Sequence, residues 1–224
     1  AGSAGRLAMF TQPPGTAQSG VGISPPPVVQ LQDNLGNPVA TSGVGITASI
    51  ASGPGGTLSG GTIALTDVNG RATFSPSNLI ITGPTGSYTL QFNGASLTGV
   101  TSSAISLTAG SAARVFVTAQ PATAQSGVAF TTAPAVQVQD AAGNPVAGAG
   151  RSVIVSLLSG SGTLTGTLTQ STNASGVATF PGLVLTGTIG PRTLLFSSAS
   201  IASDTTSAIT LTPGTATALE YVQQ

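Results

Sequence analysis

The side chains able to do acid, base or metal chemistry in this chain are few and far apart. There are four Asp (33, 67, 140 and 204) and one Glu (220), set against five Arg, with no Lys, His or Cys. Without His or Cys, a serine–histidine pair or a thiolate nucleophile cannot be built, and zinc lacks its preferred ligands. No two carboxylates lie close enough in sequence to suggest an acid and a base at one site. The densest oxygen sets are Asp33 with Asn34 and Asn37, Asp140 with Asn144, and Asp67 with Asn69. One carboxylate per loop is too little charge for a dedicated calcium site, so these residues are expected to cap turns. The expectation is therefore a chain with no catalytic residue, no cofactor and no metal, hence not an enzyme. Asn173-Ala174-Ser175 has the pattern of an N-glycosylation acceptor and equally that of a turn.

Composition narrows the partners. Only 4% of residues are charged and the net charge is zero, while 40% are hydrophobic and Gly and Pro number 31 and 15. No stretch approaches the roughly 20 unbroken apolar residues of a spanning helix, so the surface must be Thr, Ser, Gln, Asn and Gly. A neutral, hydroxyl-rich surface lacks the repulsion that keeps proteins apart and suits self-association. Five scattered Arg cannot neutralise a phosphate backbone, so nucleic acid is excluded as a partner. Two Tyr and no Trp give no aromatic platform for stacking bases or sugars, although surface glycans stay open as a partner of an exposed hydroxyl face. The start, Ala1-Gly2-Ser3-Ala4, has neither the basic nor the apolar region of a signal peptide, which fits a processed chain or a cytoplasmic one.

The elements that would hold these residues occur twice. Gln12-Pro13, Gln18-Ser19-Gly20, Val29-Gln30-Leu31-Gln32-Asp33 and Gly36-Asn37-Pro38-Val39 return as Gln120-Pro121, Gln125-Ser126-Gly127, Val136-Gln137-Val138-Gln139-Asp140 and Gly143-Asn144-Pro145-Val146. Asp140 lies 140 − 33 = 107 residues beyond Asp33, the length of a small domain. Gly and Pro interrupt every helical window, whereas period two is general. Aliphatics alternating with Gln predict a strand with one face in a core and the Gln face in water. Further strands are expected around Arg6 to Phe10, Ile46 to Ile50, Thr62 to Thr66, Arg71 to Phe74, Tyr88 to Phe92 and Ile105 to Leu107, each with a counterpart in the second copy. Val29, Leu31, Phe74, Leu90 and Phe92, with Val136, Val138, Phe180, Leu194 and Phe196, are the expected cores. Seven short strands per copy, separated by turn signals, describe an antiparallel β-sandwich.

The ordered motifs Gln-Pro, Pro-x-Val-x-Val/Leu-x-Asp, Gly-Asn-x-Val, Gly-x-Ala-Thr-Phe and Gly-x-Tyr-Thr-Leu resemble the tandem bacterial immunoglobulin-like repeats of the invasin and intimin type. The resemblance covers nearly the whole chain. It implies an all-β fold of two tandem antiparallel immunoglobulin-like β-sandwiches, residues 1–110 and 111–214. It further implies a structural subunit or stalk of an extracellular or cell-surface filament or adhesin, with a phage virion decoration or tail protein as the alternative. Arg192 stands where the first copy has Tyr88, a departure that leaves the second domain without the tyrosine of the sandwich corner. Residues 215–224 repeat the entry to a domain: Leu219 aligns with Val115 and Tyr221 with Val117. This stretch is either the first strand of a third repeat or a strand donated to another subunit, with Leu219, Tyr221 and Val222 as the interaction residues.

Overall fold

The computed structural model describes residues 2–75 and 78–216. The chain forms two compact units, Ala1–Gly110 with Ala142–Asn144, and Ser111–Ala141 with Pro145–Gln224. The interaction segment Leu219, Tyr221 and Val222 lies outside the described residues.

In the first unit the strands are β1 (Arg6–Thr11), β2 (Thr16–Gln18), β3 (Val28–Gln32), β4 (Gly45–Ser52), β5 (Thr57–Ser59), β6 (Ile63–Leu65), β7 (Arg71–Thr73), β8 (Ile80–Thr82), β9 (Gly86–Gly94), β10 (Val100–Thr101) and β11 (Ile105–Thr108). One sheet runs β1-β3-β7; the facing sheet runs β2-β11-β9-β4-β6, with β10 on β9, and β5 pairs with β8. The second unit repeats this with β12 (Arg114–Ala119), β13 (Thr123–Gln125), β14 (Ala135–Gln139), β15 (Ser152–Ser159), β16 (Thr163–Thr165), β17 (Thr169–Ser171), β18 (Val177–Thr179), β19 (Val184–Thr186), β20 (Gly190–Ser197), β21 (Asp204–Thr205) and β22 (Ile209–Thr212). Its sheets are β12-β14-β18 and β13-β22-β20-β15-β17, with β21 on β20 and β16 on β19.

Eleven strand segments per unit therefore replace the expected seven. One of the added segments in each unit, β2 or β13, has a cause in the sequence. At Pro13-Pro14 and at Pro121 the first strand loses its N–H donors, leaves its sheet and crosses to the opposite one. There β2 and β13 run parallel to β11 and β22, so the sandwich is not wholly antiparallel.

The alternating aliphatics fill the space between the sheets as expected, and all ten expected core residues are at most 3% exposed. Phe74 follows β7 in one sheet and Phe92 belongs to β9 in the other, so their tilted contact at 5.0 Å ties the two layers together. Phe180 and Phe196 make the same bridge at 5.2 Å. The expected water-facing Gln side is corrected: Gln30 and Gln137 are buried. Their strands are central in three-stranded sheets, and the turns at Asn69-Gly70 and Ser175-Gly176 cover the outer side.

Phe74→Ala should destabilise the first unit by about 3–5 kcal/mol and leave the second nearly unchanged, with Phe180→Ala doing the reverse. Thermal unfolding of each variant, followed by hydrogen exchange at amides of each unit, checks this; equal losses in both units would contradict separate cores.

Candidate functional site

Asp33 and Asp67 are each held in a turn, whereas Asp204 lies on β21. Asp33 ends β3, and its Oδ1 accepts from the N–H groups of Leu35 (3.1 Å) and Asn37 (2.8 Å). Its Oδ2 accepts from the Gly2 N–H and the Asn37 side-chain amide, both at 3.0 Å. The Asn37 amide above all, then the backbone N–H groups of Gly2 and Asn37, hold this carboxyl well below the usual carboxylate range. Asp67 Oδ1 accepts from the N–H groups of Asn69 and Arg71, both at 2.9 Å, and the Arg71 N–H contributes most to lowering its pKa. The second unit has Asn173 at that place, accepting from Ser175 and Val177 at 2.9 and 3.0 Å. An oxygen acceptor is what the turn requires, and the charge is incidental. The glycosylation pattern at Asn173 is accordingly a turn whose side-chain oxygen is already bonded to its own backbone.

Asp204 lies beside an open groove of about 340 Å³ with Phe116, Gln120 and Ser207. Its oxygens accept from Val117 (2.8 Å) and Thr205 (2.9 Å), and no second ionisable group lines the groove. A larger hollow of about 520 Å³ contains Arg151 among Ala147, Gly148, Ala149 and Ser198, with no carboxylate in its lining. Among the described residues, no group of three or more His, Cys, Asp or Glu is placed to hold a metal ion. The first hollow thus holds one carboxylate and the second one guanidinium.

The hydroxyl and amide groups expected on the surface are partly structural. Ser102 and Thr206, both buried, accept from the N–H of Leu90 and Leu194 at 2.9 and 3.0 Å. Thr66 and Thr172 each link a strand to the preceding loop, accepting from Val44 and Arg151 and donating to the carbonyls of Thr41 and Gly148. Gln12 and Gln120, ahead of their prolines, accept from Ser103 and Ser207, both at 2.9 Å. The spacing between these partners, up to 91 residues, is why sequence reading missed them. Arg6 and Arg114 are exposed and donate to Gln32 and Gln139 on the neighbouring strand.

The corner at Tyr88 and Arg192 separates the two units chemically. The fully buried Tyr88 shares its hydroxyl proton between the carbonyls of Gly55 (2.6 Å) and Pro84 (2.8 Å), and burial raises its pKa. Gly53 leaves room for the ring, since any Cβ there would collide with it. Arg192 occupies the equivalent place in the second unit, against Gly160. It is 4% exposed and donates to the Pro191 and Thr188 carbonyls, but its buried Nε has no partner among the described residues. A buried donor left unpaired is destabilising.

Each unit is a sandwich whose polar groups secure its own turns. Residues 8–109 match the family model described as SMCHD1 Ig-like domain 6. The first unit therefore matches an immunoglobulin-like domain, and the second unit repeats its sheet order. Among solved structures it is similar to the Yersinia pseudotuberculosis adhesin InvE, at 20% identity over 92% of this chain and 58% of that one, with a TM-score of 0.36. Surface layer protein SbsC, domains 4-9, is similar at 15% identity over 95% of this chain and 32% of that one (TM-score 0.33). A glycosyl hydrolase family 2 member from Bacteroides cellulosilyticus is similar at 12% identity over 87% and 23% (TM-score 0.40). The chain thus spans less than two thirds of each of these structures, from 23% to 58% of their length. No curated protein matches the chain.

Two outcomes follow from the turn and the corner. Asp33 has a folded-state pKa below its unfolded value of about 3.9, so its stabilisation is present above that pH and is lost as pH falls towards the folded value. In urea unfolding, the advantage of the wild type over Asp33→Asn should be full at neutral pH and shrink as acidification passes about pH 4. Arg192→Tyr should stabilise the second unit by about 1–3 kcal/mol by removing the unpaired donor. A lower midpoint for the second unit in that variant would show that the guanidinium is better accommodated than its bonds indicate.

Proposed function

We propose that this chain is a non-enzymatic structural segment of an extracellular or cell-surface protein, a stalk or fibre subunit, that self-associates head to tail through its C-terminal segment. One observation carries the reading: the ionisable groups with resolved partners are bonded into turns, corners and neighbouring strands. This leaves a neutral exterior of hydroxyl and amide groups on two rigid sandwiches. Such a surface adds length and contact area without chemistry, and a net charge of zero favours association. No helix among the described residues is long and apolar enough to cross a membrane.

The connector is the segment containing Leu219, Tyr221 and Val222. Its alternation matches β12, where Val115 and Val117 lie on one side of an extended strand, and an extended segment can add to the edge of another subunit's sheet. A heterologous contact of this kind does not close on itself and propagates a filament.

Deleting residues 215–224 should leave both sandwiches folded and reduce assembly, read by sedimentation and negative-stain electron microscopy. Polymerisation of the truncated chain at the concentration that polymerises the full chain would reject the C-terminal connector.

A further inference from the structure

The second unit departs from the first at the loop that enters β15, and the departure puts a cation in a hollow. The backbone there is the same in both copies. Val44 in the first unit and Arg151 in the second donate their N–H groups to the hydroxyls of Thr66 and Thr172 at 2.9 and 3.1 Å. Those hydroxyls donate in turn to the carbonyls of Thr41 and Gly148, both at 2.8 Å. What changes is the side chains. Thr41-Ser42-Gly43-Val44 becomes Gly148-Ala149-Gly150-Arg151, so two hydroxyl-bearing side chains shrink and the aliphatic one becomes charged. Val44 packs against the core of its unit, whereas Arg151 lines the hollow of about 520 Å³ with Val146, Ala147, Ala149 and Ser198 among its walls. A Cβ on Gly148 or Gly150 would meet nothing within 4 Å, so the space above this loop is open.

The guanidinium in this hollow is positioned and mostly unpaired. Beyond its own N–H bond, the carbonyl of Arg151 accepts from the Thr172 N–H at 2.9 Å, which fixes the backbone on both sides. Its Nη1 donates to the Ala199 carbonyl at 3.2 Å, the one acceptor the fork has among the described residues. Ser198 Oγ spends its proton on the Ser152 carbonyl at 2.7 Å, so Arg151 is the donor that faces the space. A planar fork with free N–H groups and no carboxylate in the lining matches an incoming carboxylate, which accepts two parallel bonds. We infer that the hollow binds the carboxylate side chain of a partner polypeptide. The carboxylate bonds to Arg151, and its aliphatic stem lies against the methyl groups of Val146, Ala147 and Ala149. An aliphatic stem is favoured over an acidic sugar because the lining holds no aromatic ring to stack on and few polar groups to meet ring hydroxyls. The site is independent of the head-to-tail assembly proposed above, and the first unit, with Val44, lacks the charge to share it.

Titrating the full 224-residue chain with the peptide acetyl-Ala-Glu-Ala-amide, followed by amide shifts in heteronuclear NMR, tests this. Saturable shifts are expected at residues 146–152 and 198–199, and binding should weaken as salt is added. Arg151→Val copies the residue that the first unit carries on the same backbone, so the variant should stay folded and bind roughly tenfold more weakly or worse. Arg151→Lys keeps the charge without the fork and should fall between the two. The glutamine peptide acetyl-Ala-Gln-Ala-amide, of the same shape without the charge, should lose about as much on the wild-type chain, a comparison that needs no variant to fold. Arg6→Gln and Arg114→Gln should change nothing. No saturable shift with wild type, equal binding by a folded Arg151→Val chain, or equal binding of the glutamine peptide overturns the inference. Tighter binding of glucuronate than of the glutamate peptide would give the hollow to acidic sugars and also reject it.

Discussion

The sandwich of each unit is fixed by a glutamine that a sequence pattern assigns to water. Gln30 lies at the centre of β3, and its Nε2 is 2.9, 3.1 and 3.2 Å from the carbonyl oxygens of Asn69, Leu31 and Gly70. The turn ahead of β7 is thereby bonded to the middle of the opposing strand, and Leu31 N–H closes the same contact at 2.9 Å from Gly70 O. Gln137 repeats the arrangement with Ser175, Val138 and Gly176 at 3.0, 3.0 and 3.2 Å. The contact also explains the glycine. Gly70 has φ of 72° and Gly176 of 77°, and a Cβ on either would strike the carbonyl of Val39 or Val146. Once this turn is seated, the facing Phe residues are carried into the core a few residues later.

Strand identity and core membership were legible because they depend on local alternation, which is written in consecutive residues. Val29 and Leu31 face the core for that reason, as do Leu90 and Phe92. The Gln side was misread because alternation describes a strand with one wet face, whereas Val29, Gln30 and Leu31 are all buried. What covers Gln30 is a turn 39 residues away, and no local pattern encodes it. The turn role of Asp33 was legible because its partners at Leu35 and Asn37 are close in sequence, while its bond to Gly2, 31 residues away, was not. The strand count failed in part at the prolines, where the first strand does not end but crosses between sheets to give β2 and β13.

A chain with so few charges must satisfy its buried polar atoms by other means. Hydroxyls do this at Ser102 and Thr66 and at their counterparts, each bonded to a backbone group of another segment. Neutral bonds of this kind carry no desolvated charge, so their loss on mutation costs one hydrogen bond and not an isolated ion. Arg192 breaks the pattern. It places a guanidinium where the first unit has a phenol that needs only two carbonyl acceptors, and its Nε is the atom that the surroundings fail to match.

Two adjacent domains with one core pattern face the hazard of exchanging strands during folding. The sequence shows how these copies differ without disturbing either core. The offset between equivalent residues is 108 at Arg6 and Arg114, 107 at Val29 and Val136, 106 at Phe74 and Phe180, and 104 at Leu90 and Leu194. Every change falls in a connector, where added or lost residues are tolerated, and none falls inside a ladder, where one residue would turn a core face outward. A strand from one copy placed in the other would keep its own apolar face but meet connectors of the wrong length. At the corner it would meet the wrong partner as well, Arg192 against a pocket shaped for Tyr88 or the reverse. The β6 and β17 edges add a third mismatch, exposed Ile63 and Leu65 against Thr169 and Ser171.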